Sequence, residues 1–215
     1  MAAKVNESME SNVRAVSICL FVLILAPAAD AEGARRTGQW YFGFGLGSGK
    51  ATLTIDDKEL DYDDFFTYPD GRTVDSARLS LFFDGGVRVA PRVLIGGHLA
   101  AMVQVGEDNG VELSVGHSQL LATVTYFPTR KGLFLRGGIG AASVEMQVRD
   151  LAGPTKITAE ERGTGAMVGV GYALPIGPSM HFTASFDVHG ATFDDRMGAP
   201  SKASFGALQL GLSWL

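Results

Sequence analysis

The sequence predicts an all-β protein, an eight-stranded antiparallel up-and-down transmembrane β-barrel. Three observations carry this: eight segments with apolar residues at every second position, connections that alternate short and long, and 28 glycines in 215 residues, mostly inside those segments. A period of two belongs to an extended chain whose successive side chains face opposite sides. Short connections alternating with long ones belong to an up-and-down barrel, with tight turns at one rim and loops at the other. Glycine well above its usual ~7%, set on one face of a strand, marks a surface that something approaches closely, as in the interior of a small barrel.

The chain opens with Arg14 and an uncharged run, AVSICLFVLILAPAA (15–29), then Ala29-Asp30-Ala31 as a small-x-small cleavage site. That run is too short to span comfortably as a helix, so 1–31 is expected to be a cleaved signal peptide and 32–215 the mature barrel. Cys19 leaves with the peptide, and no cysteine follows it. The peptide takes Lys4, Arg14, Glu7, Glu10 and Asp30 with it and leaves 16 basic and 20 acidic residues, net −4. Nucleic acid is not an expected partner of so mildly acidic a chain. No later segment reaches ~18 consecutive apolar residues, so no helical span is expected.

The first strand, about 39–53, begins QWYFGFGLGSG. Its glycines do not make a phosphate-binding loop: Lys50 has Phe44 and Ala51 where G-x-x-x-x-G-K-[ST] needs Gly and Ser or Thr, and G-x-G-x-x-G meets Ser48 or Lys50 at its last glycine. Read as a strand, Trp40, Phe42, Phe44 and Leu46 share one face, and Tyr41, Gly43, Gly45 and Gly47 the other. Seven more strands follow at roughly 76–90, 92–105, 118–128, 132–146, 164–175, 180–193 and 203–215. Parity falters around Gly116 to Gln119 and near Ala142 to Val144, which are expected to be bulges or loop starts. The long connections, about 54–75, 106–117, 147–163 and 194–202, are expected to be extracellular.

A soluble barrel alternates too, but turns its apolar face inward. Here the other face is so rich in glycine that it suits a cramped lumen, and in hydrocarbon a closed barrel pairs every backbone group without leaving an edge. The lumen set is then Arg78, Asp84, Arg88, His98, Arg136, Asp187 and His189. Both signs are present, and charges away from water need partners, so salt bridges are expected between Arg136 and Asp187 or Asp84. Trp40, Tyr126, Tyr172 and Trp214 sit where an aromatic girdle at the periplasmic interface would lie.

With WYFGFGLGSG, LLATVTYFPTRKGLFLRGGIG (120–140) and the closing ASFGALQLGLSWL, the chain resembles the small eight-stranded outer-membrane barrels of Gram-negative bacteria, the OmpA-like and OmpX-like group, with OmpW-like proteins nearby. The resemblance implies residence in the outer membrane among lipid and lipopolysaccharide, and a monomer is expected. It also implies insertion by the barrel-assembly machinery, which reads a closing aromatic; here Leu208, Leu210, Leu212 and Trp214 keep that alternation, with Leu215 after it.

Eight strands enclose a space that side chains nearly fill, so the expected role is structural or interactive, through the extracellular loops. The alternatives are a narrow channel or small-ligand conduit, and a lipid A-modifying enzyme. For the last, the chain has four histidines, His98, His117, His181 and His189; resemblance to the lipid A deacylases would imply a His-x-Ser arrangement on a late strand, but Gly190 and Ala191 follow His189. A base and nucleophile across strands, His181 or His189 with Ser185 or Ser204, is the remaining enzyme arrangement. The loop 54–75 carries eight acidic and two basic residues with Tyr62, Phe65, Phe66 and Tyr68. Its Asp61, Asp63 and Asp64 are candidates for a divalent cation, although the spacing is not that of an EF-hand. No cofactor is expected.

Overall fold

The computed structural model describes residues 39–68, 70–129, 132–150, 156–194 and 199–215. The expected signal peptide, and the tips of the expected loops at 147–163 and 194–202, lie outside the described residues. Nine strands form one sheet: β1 (Trp40–Ile55), β2 (Lys58–Asp61), β3 (Ser76–Ala90), β4 (Val93–Asp108), β5 (Val111–Tyr126), β6 (Leu133–Asp150), β7 (Lys156–Pro175), β8 (Met180–Phe193) and β9 (Pro200–Trp214). Eight of them pair antiparallel in the order β1-β3-β4-β5-β6-β7-β8-β9, and β9 returns to β1 to close the barrel. The short β2 hangs on the upper half of β1.

The alternation falls as expected. Outward-facing Ile139, Trp40, Val168 and Leu208 are 72, 68, 65 and 62% exposed, while Tyr41, Phe82, Leu94, Leu121 and Phe134, of the opposite parity, are buried. The outward apolar stretch Leu133–Ala141 rises roughly 20 Å at ~3.3 Å per residue and a ~40° tilt, most of the ~25 Å apolar band of a membrane barrel.

Two expectations need correction. The strands do not stop where the apolar alternation stops. β4 and β5 run on past the expected loop at 106–117 and meet in a two-residue turn, Asn109-Gly110, with φ of 51° and 76°. Both residues tolerate the left-handed region that such a turn requires. Likewise β1 turns tightly into β2 through Asp56-Asp57, so the segment 54–75 starts as a hairpin and not as an open loop. Backbone amides pair whether lipid or water lies outside, so the ladders outlast the greasy band. The expected bulges at 116–119 and 142–144 are also absent: β5 pairs in unbroken register with β4 and β6 over its whole length. What falters there is outward apolarity, because outward Ser118 and Ser143 bond each other at 2.9 Å. Register does shift at Thr54/Ile55 and at Arg88/Ala90.

Candidate functional site

The lumen is filled in layers, each assembled from inward positions of several strands. In the middle layer Arg136 of β6 donates from Nη1 to Asp84 Oδ2 at 2.6 Å and from Nη2 to Asp187 Oδ2 at 2.8 Å. Of the two partners named from sequence, the guanidinium holds both. Asp84 also accepts from His98 Nδ1 at 2.6 Å, its neighbour in register on β4, and Asp187 accepts from Ser185 Oγ at 3.0 Å. Arg136 and Asp187 lie two strands apart, with Gly169 of β7 between them in register. A β-carbon on Gly169 would land on Asp187 Oδ1, so glycine is what lets the ion pair pass over β7. The same device recurs where the ring of Phe82 lies over Gly45 and Gly211, and that of Phe134 over Gly171. The glycine-rich inner face is thus the complement of the large inward side chains.

Above this layer His189 stacks on His98 and on Phe205, with centroids 5.7 and 4.1 Å apart. His189 Nδ1 donates to Gln119 Oε1 at 3.1 Å, and the Gln119 amide donates to His117 Nε2 and to Gly190 O, both at 3.1 Å. The sequence pattern alone does not place His117 and Gln119 in the lumen, because the loss of outward apolarity beside them resembles a bulge or the start of a loop. Carrying parity upward from Leu121 places both inward.

Higher still the lumen is apolar. Leu53, Met102, Val115, Val144, Phe193 and Phe205 form a buried cluster with Tyr62 and Phe66. These two aromatics come from a 3-10 turn, Tyr62–Phe66, that follows β2 and folds down into the barrel mouth. The expectation of a free surface loop fails for this part of 54–75: fully burying two large rings outweighs leaving them in water.

The plug is tied down by the polar side chains around it. Arg78 donates to Asp63 Oδ1 at 2.5 Å, to Gln104 Oε1 at 3.0 Å and to Gly49 O at 2.7 Å. That carbonyl lies just above Gly47↔Ser80, where the β1–β3 ladder ends, so Arg78 bridges the seam where the two strands part. Gln104 also donates to Asp63, at 2.9 Å. Asp64 accepts from the Asp61 amide at 2.8 Å. Asp63 and Asp64 are therefore engaged within the protein, and among the described residues no three or more His, Cys, Asp or Glu side chains converge as a metal site would need.

Arg88 stands apart from the expected network: it lies near the opposite rim and donates to Pro91 O at 3.3 Å. The enzyme arrangement does not form. Ser204 lies on the exposed outer face while His189 is fully buried in the lumen, and the Ser185 hydroxyl is engaged by Asp187. The four aromatics named for a girdle all face outward near strand ends at the short-turn rim, with Trp214 stacked on Phe42 at 4.5 Å.

A family model described as outer membrane protein beta-barrel domain matches residues 16–214. The chain belongs to this family. Among solved structures, Ail, the attachment invasion locus protein of Yersinia pestis, is similar with a TM-score of 0.52 at 12% identity, over 83% of this chain and 99% of Ail. Neisserial surface protein A, NspA, matches with a TM-score of 0.52 at 12% identity, over 83% of this chain and 98% of NspA. At such identity the likeness concerns the fold. No curated protein matches the chain. The molecule is an outer-membrane β-barrel protein.

Proposed function

We propose that this protein is a sealed, non-enzymatic barrel that acts through its extracellular face, as a monomer set in outer-membrane lipid and lipopolysaccharide. The observation that carries this reading is the double occupation of the lumen: Arg136 clamped between Asp84 and Asp187, and the Tyr62–Phe66 turn packed above it. An ion following the axis would have to displace a charge whose two partners hold it in a desolvated layer, then part an aromatic cluster. Each step opposes conduction. The strand pairs β1–β2, β4–β5 and β6–β7 extend past the apolar band and leave a paired surface outside it. Insertion by the barrel-assembly machinery through the closing Leu208, Leu210, Leu212 and Trp214 pattern fits the same picture.

Planar-bilayer recording of the refolded mature protein tests the seal. The expected result is no steady open current. A stable, ion-selective open state in the unmodified protein would overturn the reading in favour of a narrow conduit.

A further inference from the structure

The extracellular mouth holds a feature that sealing does not require. Between the plug and the wall lies a cavity of about 230 Å³, lined by Phe65, Phe66, Val74, Leu113 and Val148 among others. Leu113 of β5 and Val148 of β6 are register partners above the apolar band, and with Val111 they turn an aliphatic face inward. Val111 and Val148 remain 42 and 40% exposed, so apolar surface is left uncovered where water has access. Phe66 closes the floor and is itself buried.

The rim selects by charge. The Tyr68 hydroxyl donates to Asp108 Oδ2 at 2.7 Å, and Arg72 lies 3.5 Å from the same oxygen with its guanidinium 4.5 Å over the Tyr68 ring. Arg72 is thus already paired, and Asp108 is the charged residue that lines the cavity. An anionic amphiphile would meet like charge here. A long acyl chain would find the floor closed. A cavity of ~150 Å³ lined by aliphatic and aromatic side chains suffices for benzene, so this one has room for somewhat more, and the Phe65 and Phe66 rings offer face and edge contacts.

We propose that this cavity is a binding site for a neutral, planar apolar molecule of one or two fused rings. The test uses the mature barrel in lipid nanodiscs, with Val and Leu methyls labelled for NMR, titrated with indole as the probe. Saturable shifts are expected at Val74, Val111, Leu113 and Val148, distinct from any drift at lipid-facing Val168 and Leu208. Leu113→Trp or Val148→Trp, whichever inserts and keeps heat-modifiable mobility, fills the space and should weaken binding at least about tenfold, as losing pocket volume does. Indole-3-acetate should bind more weakly than indole. Shifts that do not saturate, that match those of the lipid-facing methyls, or that persist unchanged in the filled variant overturn the site. Equal binding of the acetate overturns its preference for neutral ligands. Conductance is unaffected by any of these outcomes, so the sealing reading stands or falls separately.

Discussion

Replacing Arg136 by methionine keeps much of the side-chain volume and removes the charge that two buried carboxylates share. Their losses differ. Asp84 retains His98 Nδ1 at 2.6 Å, whereas Asp187, fully buried, retains only Ser185 on one oxygen, and its Oδ1 has no hydrogen-bond partner even in the intact site. Stranding a buried charge in this way costs roughly 3–5 kcal/mol. Asp187→Asn alone leaves Arg136 with Asp84 and trades one charge-assisted bond for a neutral one, a loss of about 1.5–3 kcal/mol. The two changes should therefore not add: in the Arg136→Met background, Asp187→Asn removes the stranded charge and should restore about 2 kcal/mol or more. Reversible urea unfolding in lipid vesicles, followed by the fluorescence of Trp40 and Trp214, measures all three variants through shifts in midpoint at constant slope. A loss below about 1 kcal/mol for Arg136→Met, or further destabilisation on adding Asp187→Asn, would refute the account of the central layer.

Other consequences can be checked in the same preparation. Gly169→Ala puts a methyl on Asp187 Oδ1 and should cost at least ~1 kcal/mol by overpacking, with chemical shifts at Arg136 and Asp187 moving first. Tyr62→Ala or Phe66→Ala should lower the docking stability of the plug by about 3–5 kcal/mol. Hydrogen exchange would then show loss of protection at residues 58–66 while the β5–β6 ladder stays protected. Burial holds the Tyr62 phenol above its ordinary 10.0. The hydrogen bond to Asp108 raises that of Tyr68 too. The docked plug then keeps protons that the undocked chain gives up, so docking is unaffected by pH below about 10 and weakens as pH rises beyond it. A spin label at Lys58→Cys should become more mobile above that pH, and Tyr62→Phe should leave only the smaller dependence due to Tyr68.

Much of the site was legible because it rests on parity. Once the outward face of β1 is read from Trp40, Phe42, Phe44 and Leu46, the inward set follows strand by strand, and Asp84, His98, Arg136, Asp187 and His189 come together in the structure as their alternation demands. Gln119 and His117 obey the same rule. They were hidden because the residues beside them on the outer face, Gly116 and Ser118, are not apolar, so a change of surface looked like a change of register. The turn at Asn109-Gly110 was legible too, as a dipeptide suited to positive φ, but the fading of apolarity after Val105 masked it.

The period of two determined by itself that the chain forms eight paired strands, each with one greasy face, and the glycines crowded on the opposite face determined that this opposite face lines a narrow lumen and the greasy one lies outward. Only the tertiary structure decided which inward residues meet. Arg136 reaches Asp187 because register sets Gly169 between them, and Tyr62 and Phe66 leave the surface because the upper lumen offers an apolar cavity to fill. Both depend on distances across strands far apart in the chain, and no local pattern of residues encodes such distances.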